Sequence, residues 1–553
     1  MIGVVLKNFI SKLPPRAYWL RISPWAAGFL LVLLLARNPF SVRTLIPNFE
    51  PFPDTFHYIV PIRSFLAGHG FSMYRNGYSF VPSVAPFYSF TLLPFFVLKN
   101  DPRMFYAANY IFAIVAYLFF VRIVKKVVPH EYIQVFLFFA YVTNYYISWY
   151  PQWAMAENLM LPMMLYGLSL FLEVKSTRNA LHAGIVSILF YGVKYAYAPL
   201  TIVFAVLYFF HYKNTPYLKK YIACLSICFL GFIALDYSLQ GRNVFGAAWG
   251  ILLSFWNQYN SSRGDQGEAV VAQHAWFSLR YLPNNLLFHW RGLHGEGMKF
   301  LWDYTPILPG FVASWGLAGL VLRLFSSTWK KYASVLLSLL LGEVLFMSTF
   351  YLPDMRYLLF SIPFLLIGFG WMMQIFFEYC CAMRKEKIWY ILFIGYVLIF
   401  GVTNIFRIKR QIMVNIKYAE TPWWYISIQE TEAFMKDHQT NDGKRPIVIS
   451  AIPPYFFDYF SKNTYDLLPL SKDQEFRSQK KEVWGDHDYS DLLALYRSYL
   501  KMGRPLYAMT YGLGNESYLH QSMNQLRDAF LLSLEKTGCY NLCNIYSVRE
   551  RAK

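Results

Sequence analysis

A short polar stretch, NFEPFPDTFHYIV, stands directly after the first apolar run of the sequence. It places a carboxylate, Asp54, shortly before His57 and Tyr58. At the face of a membrane, a carboxylate can take part in proton transfer. Charged groups at such places are costly in free energy and are often functional. Aspartate is also favoured at the start of a helix. The stretch therefore predicts either a functional acid or a capping acid at Asp54.

Three more charged residues open or interrupt apolar segments. Glu157 follows YPQWAMA, Lys194 lies in GVKYAYAPL, and Arg356 follows YLPDM. A charge in such a segment is costly unless it has a partner or a ligand. Glu157 could simply open a helix, and Lys194 could pair with an acid such as Glu157. Arg356 could pair with neighbouring Asp354, or extend its side chain to the membrane interface.

The composition of the whole chain indicates that these residues lie among membrane spans. Of the 553 residues, 56% are hydrophobic and only 15% are charged, which is more apolar surface than a soluble protein usually buries. The net charge of +19 is typical of basic loops beside anionic lipids. Nucleic-acid binding would also explain this charge, but the basic residues punctuate apolar runs and form no RNA-binding motif. The sequence therefore predicts a multi-pass α-helical membrane protein that contacts lipids and no nucleic acid.

The apolar runs predict the number of spans. A helix needs roughly 20 apolar residues to cross a bilayer, and about eleven runs approach that length. Lys194 and Pro199 break the runs at 181–212, which predicts a bent hairpin. The candidate spans lie near 17–37, 104–122, 133–150, 157–174, 181–196, 198–212, 220–240, 305–323, 333–350, 356–376 and 388–405.

Lysine and arginine predict the orientation of these spans. The N-terminal segment and alternate loops carry basic residues, whereas the short turns YPQWAMAEN and YLPDM carry none. The basic segments are therefore predicted to be cytoplasmic. Two long loops, 38–103 and 241–304, and everything after about residue 405 are predicted to lie outside. Long polar loops on such a protein usually carry function.

The sequence changes character after residue 405. PIVIS, PLYAMTY and YNLCNIYSV are typical of strands, and IPPYFFDYFSK, DYSDLLALYRSYLKMG and ESYLHQSMNQLRDAFLLSLEKTG of helices. This alternation predicts an extracytoplasmic α/β domain at 406–553, after a transmembrane domain at 1–405. Cys539 and Cys543 could form a disulfide if a turn joins them in an oxidising compartment; free thiols are the alternative.

Four stretches, in this order and with this sidedness, resemble the GT-C superfamily of polyprenyl-phosphate-sugar glycosyltransferases. Asp54, Tyr58, a G-x-G and APFYSFTLLPFF resemble the first outer loop of that family. YPQWAMAENLMLPMMLYGLSLFLE is similar to its second outer turn, where Glu157 holds the position of an acid. GVKYAYAPLTIVFAVLYFF resembles its bent hairpin, and LPDMRYLLFSIPFLLIGFG its late R-Y-L-L-x-x-x-P-F segment. The C-terminal α/β domain is similar to the outer domain of many bacterial members.

Two departures separate the chain from named branches of this family. Thr55 follows Asp54 where the protein O-mannosyltransferases have a second acid. Val84, Ala85 and Pro86 stand roughly where the lipid A aminoarabinose transferases have Lys-Pro-Pro. The resemblance therefore implies a less characterised branch, with a different sugar or acceptor.

The resemblance implies a reaction and roles for the charged residues. A sugar would move from a lipid phosphate to an acceptor hydroxyl on a lipid, glycan or protein, with inversion and with Asp54 as the general base. Glu157 would be the second catalytic acid, steadying the acceptor or the base, or holding a metal. Arg356 and Lys194 would neutralise the phosphate leaving group.

The resemblance also implies the surroundings of the reaction. We expect no metal and no cofactor, since the sequence has no cluster with metal-ligand spacing and the donor is the lipid-linked sugar itself. The active side and the C-terminal domain would face the periplasm of a bacterial inner membrane. The possible substrate pocket comprises His57, Tyr58, Tyr88, His289, Arg291 and His294.

Two other functions fit parts of the same pattern. A transporter or flippase for a lipid-linked saccharide would share the spans and the buried charges, but such proteins usually show repeat symmetry between halves, and none is visible. A saccharide-binding scaffold with this fold would use the outer domain without catalysis. Either of these should tolerate Asp54→Asn, whereas a transferase with Asp54 as base should not.

Overall fold

The computed structural model describes residues 16–36, 54–75, 78–80, 82, 84–240, 277–293, 309–350, 354–417, 423–438, 444–450, 465–470, 489–510, 517–537 and 544–551. The chain divides into two compact units. The first comprises Met1–Arg37, Tyr106–Gly231 and Leu279–Lys417, and the second comprises Asn38–Phe105, Phe232–Ser278 and Tyr418–Lys553.

The described part of the chain is mostly helical. Its helices are α1 (Arg16–Leu35), α2 (Asp54–Leu66), α3 (Pro86–Leu98), α4 (Phe105–Val127), α5 (Glu131–Val142), α6 (Tyr145–Trp149), α7 (Glu157–Leu172), α8 (Thr177–Val193), α9 (Ala198–Tyr212), α10 (Leu218–Gln240), α11 (Leu282–Leu293), α12 (Pro309–Arg323), α13 (Lys330–Met347), α14 (Ser361–Ala382), α15 (Glu386–Lys417), α16 (Trp423–Asp437), α17 (Tyr489–Lys501) and α18 (Ser517–Ala529). Short 3₁₀ turns lie at Pro102–Met104, Tyr150–Gln152, Tyr195–Tyr197, Leu279–Tyr281 and Met355–Leu358.

Several of these helices have the length and composition of membrane spans. Within the described residues, five helices are long and apolar enough to cross a bilayer, which agrees with an integral membrane protein. Helices lie at all the predicted positions, although the run at 133–150 is split between α5 and α6 at Asn144. The five long spans are Phe105–Val127, Tyr195–Tyr212, Leu218–Leu239, Ser361–Ala382 and Glu386–Met413.

Glycines allow two helices of the first unit to pack very closely. A Cβ added at Gly319 of α12 would overlap the carbonyl oxygen of Gly368 on α14. A Cβ added at Gly316 would overlap the carbonyl oxygen of Leu365 in the same way. Small residues at such a crossing let the backbones approach, which is a common way for helices to associate in a membrane.

The second unit begins with a helical pair and a hairpin. Helix α2 starts at Asp54 and ends at Leu66, followed by Gly68 and Gly70 at φ +83° and +73°. The predicted helix and its glycine end are therefore confirmed, because only glycine adopts such φ values without strain. Helix α3 packs against α2. Strands β1 (Met73–Arg75) and β2 (Tyr78–Phe80) pair antiparallel between these helices in the chain.

The end of the chain forms a five-stranded mixed sheet. Its strands are β3 (Ile447–Ser450), β4 (Asp466–Pro469), β5 (Leu506–Met509), β6 (Phe530–Lys536) and β7 (Ile545–Glu550), in the order β4-β3-β5-β7-β6. Strand β3 pairs parallel with β4 and β5, whereas β7 pairs antiparallel with β5 and β6.

Helices cover both faces of this sheet. Tyr496 of α17 and Leu526 of α18 pack with Ile447 and Ile449 in one buried core. Tyr507 points to the other face, because neighbouring residues of a strand alternate, and its ring meets Phe434 of α16 at 5.3 Å. The predicted α/β character of this region is confirmed.

One predicted helix of this region is wrong in its second half. Helix α18 ends at Ala529, and the following FLLSLEK is strand β6. The pairing of Phe530–Lys536 with β7 decides this, since a strand satisfies its backbone groups only by pairing with a second strand. Strand β4 was not predicted. The predicted helix IPPYFFDYFSK lies outside the described residues.

Candidate functional site

Two asparagine amides build the turn that precedes helix α7. Asn109 Nδ2 donates to the carbonyl oxygens of Pro151 (3.1 Å) and Trp153 (2.7 Å). Asn158 Nδ2 donates to the same Trp153 oxygen at 2.7 Å. Buried carbonyl groups need such donors, so the turn has a defined path into Glu157, the first residue of α7.

Glu157 forms a buried ion pair with Lys194. Lys194 Nζ lies 2.6 Å from Glu157 Oε1, and the two side chains are 17% and 2% exposed. Tyr197 Oη donates to the same oxygen at 3.3 Å. Lys194 reaches the acid because the chain is extended there, at φ −155° and ψ 121°, between α8 and the turn at Tyr195–Tyr197. The structure thus forms the ion pair that the sequence left open as one alternative.

Arg356 is likewise held by an acid. Its Nε lies 3.2 Å from Asp354 Oδ2, and its backbone N–H donates to Asp354 Oδ1 at 2.8 Å. Its Nη2 donates to Tyr357 Oη at 3.0 Å, and its Nη1 lies 3.8 Å from Met155 Sδ. The guanidinium is therefore oriented by an acid, a hydroxyl and the turn that precedes α7.

Tyr357 joins these two cations into one cluster. Lys194 Nζ lies 4.8 Å from the centre of its ring, and Arg356 Cζ lies 5.0 Å from it. Aromatic faces attract cations at this range. We call Glu157, Lys194, Asp354, Arg356 and Tyr357 the charged cluster. It contains two cations and two acids, so an entering anion would compete with the acids for groups that are already oriented.

The sequence prediction missed Glu343, which lies near this cluster. Its side chain is 1% exposed, and neither carboxylate oxygen has a hydrogen-bond partner among the described residues. It is close enough to Glu157 for the two carboxylates to interact electrostatically. A single acid in the apolar run LLSLLLGEVLFM was the signal that could have identified it.

The predicted residues of the first loop lie in the second unit. Asp54 is the first residue of α2, and its side chain lies outside the described part of the structure. Tyr58 and Tyr88 are buried, with their rings edge to face at 4.9 Å. Ser89 Oγ donates to the Tyr58 carbonyl at 2.9 Å, and His57 is half-buried. The structure therefore brings Tyr58 and Tyr88 together as a packed pair that ties α2 to α3.

His289 lies in the first unit and is fully buried. Its Nδ1 lies 2.9 Å from Ser348 Oγ. Burial lowers the pKa of His289 from 6.5 to about 4, so the ring is neutral near pH 7. Arg291 belongs to the same helix, α11, but its side chain lies outside the described residues, as does the whole of His294.

Among the described residues, no group of three His, Cys, Asp or Glu side chains could hold a metal ion. Cys224, Cys228, Cys380 and Cys381 are free, whereas Cys539 and Cys543 lie outside that part of the chain.

Comparison with solved structures shows what this fold resembles. ArnT from Cupriavidus metallidurans bound to undecaprenyl phosphate superposes with a TM-score of 0.61 at 10% identity, covering 96% of this chain and 98% of ArnT. The apo form of the same protein gives a TM-score of 0.55 with the same identity and coverage. ArnT is a lipid A aminoarabinose transferase of the GT-C superfamily. The sequence matches no family model and no curated protein. The predicted resemblance is thereby confirmed at the level of the fold.

Proposed function

We propose that this chain, which has the fold of ArnT, is an integral-membrane glycosyltransferase that moves a sugar from a polyprenyl-phosphate carrier to an acceptor hydroxyl. The observation that carries the proposal is the pair of oriented cations, Lys194 and Arg356, around Tyr357. One of the two similar structures holds undecaprenyl phosphate, a lipid phosphate of the kind that such a donor would contain.

The cations account for the leaving group. When the bond between the sugar C1 and the phosphate oxygen breaks, the electron pair stays on that oxygen and the phosphate gains a negative charge. Positive groups that are already in position stabilise this charge most strongly where water is largely excluded. Lys194 is 17% exposed and Arg356 12% exposed, so both can reach a ligand while remaining largely shielded. Asp354 and Glu157 would hold them until the phosphate arrives.

The attack needs a base on the other side of the sugar. An acceptor hydroxyl attacks C1 opposite the phosphate, inverts that carbon and gives its proton to a carboxylate. We assign this role to Asp54, at the start of α2. Glu157 is the second acid. We assign it the role of holding Lys194, whose Nζ lies 2.6 Å from Glu157 Oε1. His57, Tyr58, Tyr88, His289, Arg291 and His294 remain the proposed surroundings of the substrate.

The membrane arrangement belongs to the same proposal. About eleven spans would place the basic loops in the cytoplasm and the long loops, 38–103 and 241–304, outside. The transmembrane domain would comprise residues 1–405 and the extracytoplasmic domain residues 406–553. In a bacterial inner membrane the reaction would then take place at the periplasmic face.

A transfer assay with matched variants tests the proposal. Purified protein receives radiolabelled polyprenyl-phosphate sugars and a total extract of lipids and glycans. We expect Asp54→Asn to bind donor but to lose transfer, and Arg356→Gln to lower kcat by roughly 10²–10³, the usual cost of one lost charge-stabilising donor. Asp101→Asn is the control, because Asp101 pairs with Arg103 at 2.7 Å and has no proposed part in the reaction, so transfer should persist.

Three outcomes decide between the candidate functions. Transfer by wild type and by Asp101→Asn, but not by Asp54→Asn, supports the proposal. Equal transfer by Asp54→Asn would move the base to another acid, first Glu157. If no donor is consumed by the wild type while labelled donor crosses the membrane of reconstituted vesicles, the protein is a transporter and the transferase proposal is wrong.

A further inference from the structure

A group of basic side chains lies where three helix ends of the first unit meet. Lys175 precedes α8, His211 is the penultimate residue of α9, and Lys331 is the second residue of α13. Helix α9 packs against both α8 and α13, and the adjoining helix ends bring Lys175, His211 and Lys331 close enough for their charges to interact. The three residues are therefore neighbours, and we call them the basic cluster.

His211 has no hydrogen-bond partner within the described residues. Its side chain is 6% exposed, and both ring nitrogens are unpartnered. Its ring lies against Phe171 at 5.1 Å and Tyr212 at 4.9 Å. A neutral imidazole carries one N–H donor and one acceptor, and burying them without partners is costly. An acceptor-rich ligand would remove this cost.

The charged side chains that act on His211 are both lysines. Among the described residues, no ion pair involves Lys175 or Lys331. Glu173, an acid whose charge reaches Tyr212, is engaged by Arg122 at 2.6 Å. Burial, and to a smaller extent the positive charge of Lys175, lower the pKa of Lys331. Two ammonium groups therefore repel each other beside a buried N–H donor.

We propose that the basic cluster binds a phosphate group, either that of an anionic phospholipid or free phosphate. Phosphate oxygens would accept a hydrogen bond from His211 and offset the charges of Lys175 and Lys331. The position at the ends of apolar helices suits a lipid headgroup, and basic residues there contribute about 1 kcal/mol each to the binding of anionic lipid. This site is separate from the charged cluster and does not depend on the proposed reaction.

Thermal unfolding of the full chain in detergent tests the site. The delipidated protein is titrated with dioleoylphosphatidylglycerol, with dioleoylglycerol, which has the same chains without phosphate, and with sodium phosphate at constant ionic strength. A ligand that binds the folded state raises the unfolding midpoint in proportion to its occupancy. The variants are Lys175→Gln/Lys331→Gln and His211→Phe, with Lys213→Gln as the control, because the exposed Lys213 adjoins the Phe210 ring instead.

We expect phosphatidylglycerol to raise the midpoint of wild type and Lys213→Gln, and dioleoylglycerol to leave it unchanged. The double variant should bind more weakly by roughly fivefold for each lysine, as the charge contribution implies. A rise with phosphatidylglycerol alone assigns the lipid headgroup, and a rise with sodium phosphate as well assigns a site open to free phosphate. No rise in wild type, or an equal rise in the double variant, overturns the proposal. His211→Phe should keep the fold and lose the response.

Discussion

Replacing Lys194 by methionine would remove an ammonium group that lies 2.6 Å from a buried carboxylate. Glu157 is 2% exposed, so in Lys194→Met it would remain buried without its main counterion. Breaking a buried ion pair on one side costs about 3–5 kcal/mol, because the remaining charge is uncompensated. Tyr197 Oη, at 3.3 Å, offers only one neutral hydrogen bond, so the cost should stay in this range.

The double variant Glu157→Gln/Lys194→Met separates stability from function. It removes both charges, and replacing a whole buried pair by neutral groups is often close to neutral in stability. The coupling between the two sites in a double-mutant cycle should therefore reach about 3 kcal/mol. Donor binding should stay weak in the double variant, because the cation proposed for the phosphate is still absent.

Denaturant unfolding in detergent, followed by tryptophan fluorescence, would give the free energies of unfolding of the wild type, the two single variants and the double variant. Donor binding would be measured on the same samples. If Lys194→Met is as stable as wild type, the pair is not the buried interaction that the distances indicate. If the double variant binds and transfers donor like wild type, Lys194 does not serve the phosphate, although its structural role would stand.

Three further predictions follow from packing and burial. Gly319→Ala should lower the free energy of unfolding by about 1–3 kcal/mol through overpacking, whereas Gly395→Ala, which meets open space, should gain up to about 1 kcal/mol; equal effects in denaturant unfolding would refute the close crossing. His289 has a pKa of about 4 in the folded state, against 6.5 ordinarily. Its contribution to the free energy of unfolding is therefore fully present above pH 6.5 and is lost as the pH falls toward 4, at about 1.4 kcal/mol per pH unit. Stability measured against pH should therefore fall less steeply in His289→Gln, and parallel curves would contradict this. Glu343→Met should raise the unfolding midpoint, because it replaces a carboxylate without described partners by an apolar chain of similar length; a lower midpoint would show that the carboxylate has a stabilising partner.

Local sequence rules accounted for several elements without tertiary information. Helix α2 begins at Asp54 and is followed by Gly68 and Gly70 at positive φ, as expected of residues whose preferences are set by their own backbone. Helix α17 ends before Gly503, at φ +71°, for the same reason. The break of the hairpin at Lys194 was also visible, since a charge followed by a proline interrupts an apolar run.

Other elements depended on partners that lie outside their own segment. Residues FLLSLEK have the length and composition of a helix end, yet they form β6 because β7 supplies the backbone partners. The short strand β4 carries only DLLP and is recognisable only beside β3. The periodicity of apolar residues describes one segment at a time, whereas a sheet forms only between paired strands.

The placement of charged residues at the ends of apolar helices could be predicted from the sequence, because the cost of a charge among apolar residues does not depend on the fold. The sequence identified Glu157, Lys194 and Arg356, and left open whether they meet. The contact of Lys194 with Glu157, and the position of Tyr357 beside both cations, are visible only in the folded structure. Distances between residues remote in sequence follow from how the helices pack, and that packing depends on all their side chains together.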